Sequence, residues 1–84
     1  MPVEDLLELL ARGLVDRPDE VAVGRFDEDG DTVLLELSVA EDDYGKVIGR
    51  GGRTAQALRT VVRAAAAGDF EPGRRRRVLL DIVD

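Results

Sequence analysis

One stretch decides the fold of this 84-residue chain: Tyr44-Gly45-Lys46-Val47-Ile48-Gly49-Arg50-Gly51-Gly52-Arg53-Thr54. Gly49 and Gly52 bracket a tight turn, because a residue without a Cβ atom adopts positive φ and lets the backbone approach a ligand closely. Lys46, Arg50 and Arg53 place positive charge beside this turn. A helix that begins just after it adds unpaired N–H groups and the positive end of its dipole. The stretch therefore predicts a binding site for an anionic group such as phosphate.

The composition restricts the chemistry that the chain can perform. Residues 1–84 are enough for one small domain with a single core. The chain has no cysteine and no histidine, which excludes disulfides, thiolate chemistry, imidazole catalysis and the usual zinc sites. We expect no cofactor and no metal. No apolar run approaches the roughly 18 residues of a membrane span and no signal peptide opens the chain, so we expect a cytoplasmic protein without membrane contact.

Charge is distributed unevenly along the chain, whose net charge is −6. Residues 1–43 contain 3 cations and 14 acidic residues, whereas residues 44–84 contain 9 cations and 4 acidic residues. An anionic ligand responds to the local field over about 8 Å at physiological salt, so a basic site on an acidic protein is expected to function. Such a site should bind a polyanion more weakly and more selectively than a wholly basic domain would.

The first half of the chain reads as a helix followed by a hairpin. The helix, about residues 2–15, is predicted from apolar residues at helical spacing: Val3, Leu6, Leu7, Leu10 and Leu14. Residues 21–26 read as a strand, and the Asp29-Gly30 pair favours a hairpin turn into a second, alternating strand over residues 32–40. The acidic hairpin tip lacks the spacing of a calcium loop, so we interpret it as a solvated turn.

The second half of the chain reads as helix, loop, helix and strand. An aspartate of the Glu41-Asp42-Asp43 segment is expected to cap a short helix that runs to Ile48. A second helix is predicted from Arg53 to about residue 67, ending at Gly68. Its apolar stripe contains Ala55, Leu58, Val62 and Ala65, with Val61 beside it. Residues 69–73 are a predicted loop, and residues 74–83 are the last strand.

The predicted order α-β-β-α-α-β defines an α+β fold. The tight turn makes the first two strands antiparallel, and the helical crossover makes the second and last strands parallel. We therefore predict a three-stranded mixed sheet with three helices on one face.

This order and the glycine stretch together resemble the type II KH domain, in which a Gly-X-X-Gly loop joins two helices between two strands. The loop here is Gly49-Arg50-Gly51-Gly52. Its flanks, Gly45-Lys46-Val47-Ile48 before it and Arg53-Thr54-Ala55 after it, are similar to those of the small bacterial single-domain KH proteins of the KhpA family. The resemblance covers essentially the whole chain.

The resemblance implies RNA binding, in which the loop clamps the backbone of about four single-stranded nucleotides and the bases lie over an apolar groove. The residues to which it assigns RNA contact are Lys46, Val47, Ile48, Gly49, Arg50, Gly51, Gly52, Arg53, Arg59, Arg74 and Arg76. The glycines allow backbone approach, the cations face phosphates, and Val47, Ile48 and Leu58 line the groove. RNA should then lie between the loop and the edge formed by residues 74–77.

Several of these residues have a purely structural interpretation as well. Val47, Ile48 and Leu58 are expected to be core residues first, with base contact as an additional role, and Arg59 and Arg63 also suit a solvated helix face. Side chains at positions 74–77 alternate across a strand, so at most two of the four arginines can face the groove. Family members often carry a lysine and a polar residue in the middle of the loop. With Arg50-Gly51 there instead, we expect a more mobile loop and weak, shallowly specific binding.

Two other functions compete with RNA binding. Catalysis is disfavoured, because no phosphate-loop or dinucleotide fingerprint is present and the Asp42-Asp43 pair is explained by helix capping. A KH scaffold that works by pairing is the alternative, and the resemblance implies a homodimer or a larger KhpB/Jag-like KH partner. Leu79, Val83 and residues 64–67 are candidate surfaces for it. The favoured interpretation is an RNA chaperone or post-transcriptional regulator that binds single-stranded RNA and is not an enzyme.

Overall fold

The computed structural model describes residues 1–67 and 77–83. Helix α1 is Val3–Leu14, strand β1 is Ala22–Glu28, and β2 is Thr32–Ser38. Helix α2 is Tyr44–Ile48, α3 is Arg53–Ala66, and β3 is Arg77–Val83. Short 3-10 turns at Pro18–Glu20, Glu41–Asp43 and Arg50–Gly52 connect these elements. The order α-β-β-α-α-β is the predicted one. The predicted helix end at Gly68, the loop over residues 69–73 and the strand start at residues 74–76 lie outside the described residues.

The sheet has the predicted mixed topology. Its strands lie in the order β1-β2-β3, with β1 antiparallel to β2 and β2 parallel to β3. The hairpin turn lies at Asp29-Gly30, where Gly30 adopts a φ of 41°. The backbone N–H of Arg77 donates to the carbonyl of Asp31 at 2.6 Å, which fixes the start of β3 beside the hairpin.

The core lies between one face of the sheet and the helices. Val33, Leu35 and Leu37 of β2 have no exposed surface, because the central strand is covered by β1 and β3 at its edges and by helices on this face. Each such side chain contributes about 1.5–3 kcal/mol by its burial. The remaining buried apolar side chains of the sheet and helices are Val3, Leu7, Ala11, Val47, Ala55, Leu58, Val62, Ala66, Val78, Leu80 and Ile82.

Two predicted apolar stripes differ in detail from the packed ones. Leu14 has the angular position of a core residue, but it is the last residue of α1 and is exposed, while Ala11 is buried. In α3 the stripe shifts so that Ala66 is buried and Val61 is exposed. Helical periodicity predicts the direction in which a side chain points. Whether that side chain is buried depends on how far the neighbouring helices and the sheet extend beside it.

Candidate nucleic-acid interface

The loop between α2 and α3 contains three glycines in the left-handed region of backbone space. Gly49, Gly51 and Gly52 have φ values of 77°, 64° and 78°. The turn is closed by two backbone hydrogen bonds, from Gly49 N–H to the Gly45 carbonyl at 2.9 Å and from Gly52 N–H to the Gly49 carbonyl at 3.2 Å. Since residues with a side chain rarely adopt these φ values, the backbone conformation of the loop requires glycine at three of its four positions.

The three glycines have different surroundings. A Cβ atom at Gly49 would lie 2.8 Å from the backbone nitrogen of Thr54, so this glycine lets the loop fold back against the start of α3. At Gly51 and Gly52 a Cβ atom would meet nothing within 4 Å. Their backbone is therefore open to a ligand. No side-chain hydrogen bond caps the start of α3, which follows Gly52 directly.

Five arginines surround or follow this loop without an ion-pair partner among the residues that the structure describes. They are Arg50, Arg53, Arg59, Arg63 and Arg77, which we call the free arginines. All are exposed except Arg59, which is half-buried. Positive charge that is not neutralised within the protein remains available to an anionic ligand.

The structure brings two of the free arginines together from distant parts of the chain. Arg63 on α3 and Arg77 at the start of β3 line one open depression, together with Val78 and Leu79. The predicted contact residues Arg74 and Arg76 lie outside the described residues. The basic side chains therefore extend from the glycine loop along α3 to the beginning of β3.

Lys46, unlike the free arginines, has ion-pair partners within the protein. Its ammonium lies 2.9 Å from a carboxylate oxygen of Asp16 and 3.7 Å from one of Asp43. The hydrogen bond to Asp16, together with the attraction of both carboxylates, raises the pKa of Lys46 above its ordinary value. The lysine predicted to face phosphate is thus ion-paired at the surface with carboxylates of its own chain.

Asp43 corrects the expectation of a capping aspartate. No side-chain hydrogen bond caps α2. Instead the Asp43 carboxylate, whose residue is only 1% exposed, accepts hydrogen bonds from the backbone N–H groups of Asp16 at 3.2 Å and Arg17 at 3.0 Å. The physical reason is that the segment after α1 presents two unpaired N–H groups at this point, and a buried carboxylate must be hydrogen-bonded.

Asp16 and Asp43 are the supporting residues that sequence reasoning missed. Their contacts fix the end of α1 to the start of α2 and so position the glycine loop. The three-residue spacing of Asp43 and Lys46 on a helical segment is a local signal that could have been used. No local signal exists for Asp16, because its contacts to Asp43 and Lys46 cross about 30 positions of the chain.

The apolar residues predicted to line a groove are mostly internal. Val47 has no exposed surface and Leu58 is buried, whereas Ile48 is half-buried. Val47 and Leu58 therefore support the loop and α3 from within the core. Of the three, Ile48 beside Gly49 offers apolar surface to a ligand.

The cations of the first half of the chain are all ion-paired. Arg25 lies 2.9 Å from Glu4 and 3.6 Å from Asp27, and the hydrogen bond to Glu4 raises the pKa of Arg25. Arg12 pairs with Glu8 at 4.0 Å, and Arg17 with Glu20 at 3.4 Å. Among the described residues, these ion pairs leave the free positive charge on the second half of the chain, from Arg50 onward.

Within residues 1–67 and 77–83, no group of three or more acidic side chains is arranged to hold a metal ion. In the same residues, no helix has the length and apolar character needed to cross a membrane.

The arrangement defines a class of protein. A mixed three-stranded sheet with helices on one face, and a glycine-rich loop between two helices, is the architecture of a type II KH domain. The family model described as "KhpA/KhpB, KH domain" matches residues 4–79, and the chain belongs to that family.

Curated relatives match over nearly the full length of the chain. The RNA-binding protein KhpA of Halalkalibacterium halodurans is 52% identical over 82 residues, which cover 98% of this chain and all of the relative. The proteins of the same name from Streptomyces coelicolor and Clostridium acetobutylicum are 48% and 44% identical, covering 98% and 96% of this chain and 92% and 100% of their own.

Solved structures with the same fold are more distant in sequence. A crystal structure of Aquifex aeolicus Era bound to GDP.AlF4− superposes with a TM-score of 0.68 at 18% identity. Era in complex with MgGDPNP and a segment of 16S ribosomal RNA gives a TM-score of 0.66 at 17% identity. They cover 98% and 99% of this chain, but the chain spans only about a third of their length, 31% and 32%. At this identity the likeness shows the fold alone.

Proposed function

We propose that this protein binds single-stranded RNA, with the backbone of the RNA held at the Gly49–Gly52 loop. The observation that carries the proposal is the combination of open backbone at Gly51 and Gly52 with unneutralised charge at Arg50 and Arg53. Backbone N–H groups and guanidinium groups are the usual partners of phosphate oxygens. The names of the curated relatives support the same ligand class.

The proposed division of labour follows the geometry of the site. The loop and its two flanking arginines contact phosphates, while Ile48 provides apolar surface for a base. Arg59 and Arg63 lie one helical turn apart on α3, about 6 Å along its axis, which is close to the spacing of successive phosphates. Arg63 and Arg77 then extend the contact to the start of β3. Lys46 contributes only if phosphate displaces Asp16.

Binding at so few phosphates favours a modest affinity and an action on many RNAs. We therefore propose a role as an RNA chaperone or post-transcriptional regulator. Contacts between the free arginines and phosphates do not depend on the base sequence of the RNA. The chain also offers few aromatic side chains on which bases could stack.

The test is a pair of glycine substitutions with a matched control. In fluorescence polarisation with a labelled single-stranded RNA of about 12 nucleotides, the double variant Gly51→Asp, Gly52→Asp should bind at least about tenfold more weakly. Gly30→Asp introduces the same side chain at another glycine with positive φ and open space, and should bind like the unmodified protein. Unchanged binding by a folded double variant would refute the proposal.

A second proposed function is pairing through the KH scaffold, with a second copy or with a KhpB/Jag-like protein. The exposed Leu79 on β3, 37% accessible, favours it. Residues 64–67 are less suited, because Ala66 is buried in the core. RNA binding should weaken steeply as salt is raised, whereas apolar pairing should not.

A further inference from the structure

The face of the sheet opposite the helices is uncovered among the residues that the structure describes. Phe26, Leu34 and Leu79 are neighbours on it, because Phe26 pairs with Leu34 across β1 and β2 and Leu34 pairs with Leu79 across β2 and β3. Phe26 is 49% exposed and Leu79 is 37% exposed. We call these three side chains the apolar row. Exposed apolar surface of this kind is typical of an interface.

Two carboxylates lie beside the apolar row on the same face. Glu36 of β2 and Asp81 of β3 are direct cross-strand neighbours, each two positions beyond the row. Neither makes an ion pair with a described residue of the chain. Like charges directly opposite each other destabilise a sheet. A cation supplied from outside the chain would therefore relieve a repulsion that the chain itself leaves uncompensated.

The ring of Phe26 lies next to this carboxylate pair. It sits over Gly24, where a Cβ atom would lie 3.0 Å from the ring carbon Cε2. Gly24 is the cross-strand neighbour of Glu36, so the ring extends the apolar row towards that carboxylate. A guanidinium bound here contacts carboxylates and an aromatic ring together, which suits arginine better than lysine.

The shape of the face restricts what can cover it. The central strand β2 is paired on both sides within the sheet, so its occupant must satisfy its own backbone hydrogen bonds, as a helix does. The strands have seven residues each, and at about 4.8 Å spacing they form a face of roughly 14 by 23 Å. A single helix about 10–12 Å wide and about 15 residues long covers such a face.

We propose that this face binds an amphipathic helix of another protein, with apolar side chains over the apolar row and arginine over Glu36 and Asp81. Glu28 adds a third carboxylate to the face, and Arg77 is its single cation among the described residues. This excess of negative charge selects a basic helix over an acidic one. The partner needs no KH domain, because one helix fills the face.

The size of the face sets the strength of this contact. Its area is roughly 320 Å², which is smaller than the roughly 800 Å² per partner of a stable complex. The helix is therefore held weakly, with a dissociation constant of about 100 μM.

A designed peptide tests the proposal. The probe is a lactam-bridged helix of about 15 residues with leucines along one stripe and arginines beside them. A matched peptide has glutamates in place of the arginines. In ¹H–¹⁵N NMR titrations the arginine peptide should bind at about 100 μM and shift the signals of the uncovered face. The glutamate peptide should bind at least about tenfold more weakly, and a lysine peptide about threefold more weakly.

Charge variants of the protein test the role of the carboxylate pair. Glu36→Gln, Asp81→Asn should weaken binding of the arginine peptide at least about tenfold, without loss of stability, because a repulsion is removed. Asp5→Asn, Asp19→Asn makes the same change of charge at exposed positions elsewhere and should change binding less than about threefold. Glu36→Lys, Asp81→Lys should reverse the preference, so that the glutamate peptide binds better than the arginine peptide.

The apolar contact has a matched pair of variants as well. Phe26→Ser should weaken binding of the arginine peptide about tenfold. Leu9→Ser removes an apolar side chain that is 58% exposed on α1 and should leave binding unchanged.

Several outcomes would overturn the proposal. They are signals that shift elsewhere or not at all at about 1 mM peptide, equal binding of the arginine and glutamate peptides, and equal losses for the two neutralised variants. A dissociation constant that rises with protein concentration would also overturn it, because a second copy would then occupy the face. The loop variant Gly51→Asp, Gly52→Asp should bind the peptide normally, so failure of the RNA proposal and failure of this one are separated.

Discussion

Two regions of this molecule use arginine and lysine differently. In the region built from α1, β1 and the start of α2, every cation has a carboxylate partner: Arg12, Arg17, Arg25 and Lys46. From the glycine loop onward, the five free arginines have no such partner among the described residues. Net charge therefore does not indicate where unneutralised positive charge lies, because the acidic half uses its carboxylates to neutralise its own cations and leaves the free arginines without a partner among the described residues.

The largest expected effect concerns the paired region. Asp43→Ala removes the acceptor for the N–H groups of Asp16 and Arg17 and leaves the Lys46 ammonium with one partner fewer. Urea denaturation should show a loss of about 3 kcal/mol in the free energy of unfolding. Asp42→Ala is the matched control, since Asp42 is exposed and lies 4.0 Å from Arg17; its loss should stay below about 0.5 kcal/mol. Equal losses for the two variants would mean that the buried contacts do not hold α1 to α2.

The next effect compares free with paired arginines directly. Arg50→Ala, Arg53→Ala should lower single-stranded RNA affinity about thirtyfold and reduce the salt slope, log K against log salt, by about 0.7 for each phosphate that the variant no longer neutralises. Arg12→Ala, Arg17→Ala removes the same charge from the paired region and should change affinity less than about threefold. If both double variants lose affinity equally, general charge and not the free arginines governs binding.

A smaller change in RNA affinity is expected when a paired cation is made free by removing the charge of its partner. Asp16→Asn weakens the contact that engages Lys46, so RNA affinity should rise about threefold and the salt slope should become steeper by up to about 0.7. Asp19→Asn makes the same change of charge at a nearby exposed position and controls for it. An equal gain for both variants would show that removing any negative charge suffices.

The smallest effect is on the pH dependence of stability. The pKa of Lys46 is raised in the folded protein, chiefly by its hydrogen bond to Asp16. The lysine therefore contributes stability that is fully present below its unfolded pKa of about 10.4 and is lost as pH rises through the folded pKa. The difference in unfolding free energy between the unmodified protein and Lys46→Met should be constant near neutral pH and shrink above about pH 10.4. A difference that grew with alkaline pH would contradict this sign.

Much of the fold was predictable because its signals are local. The alternation of Val33, Leu35 and Leu37 fixes which face of β2 is buried, and Asp29-Gly30 fixes the hairpin. Gly49 and Gly52 were predicted to adopt positive φ at the two ends of the loop, and both do. The exposure of individual side chains was less predictable. Leu14 and Val61 lie at or beside the apolar stripes of their helices, but neither is covered by another part of the protein, and both are exposed.

The candidate site was predictable in its loop but not in its charges. Free and paired cations have the same side chains, so no composition or spacing distinguishes Arg53 from Lys46. The helix-capping assignment of Asp43 was wrong because its carboxylate accepts hydrogen bonds from N–H groups that follow the end of α1. These groups are far from Asp43 in the chain, so no local pattern in the sequence indicates the contact. The role of Arg74 and Arg76 in RNA binding stays a prediction.

The sequence by itself determined the order of elements, the topology of the sheet and the glycine turn, because these depend on periodicity and on backbone φ, which neighbouring residues set. Only the tertiary structure decided which cations are available, that Asp43 joins α1 to α2, and that Leu34 of β2 lies between Phe26 of β1 and Leu79 of β3. Ion pairs and cross-strand neighbours depend on distances of a few ångströms between residues far apart in the chain, and only the packed chain fixes those distances.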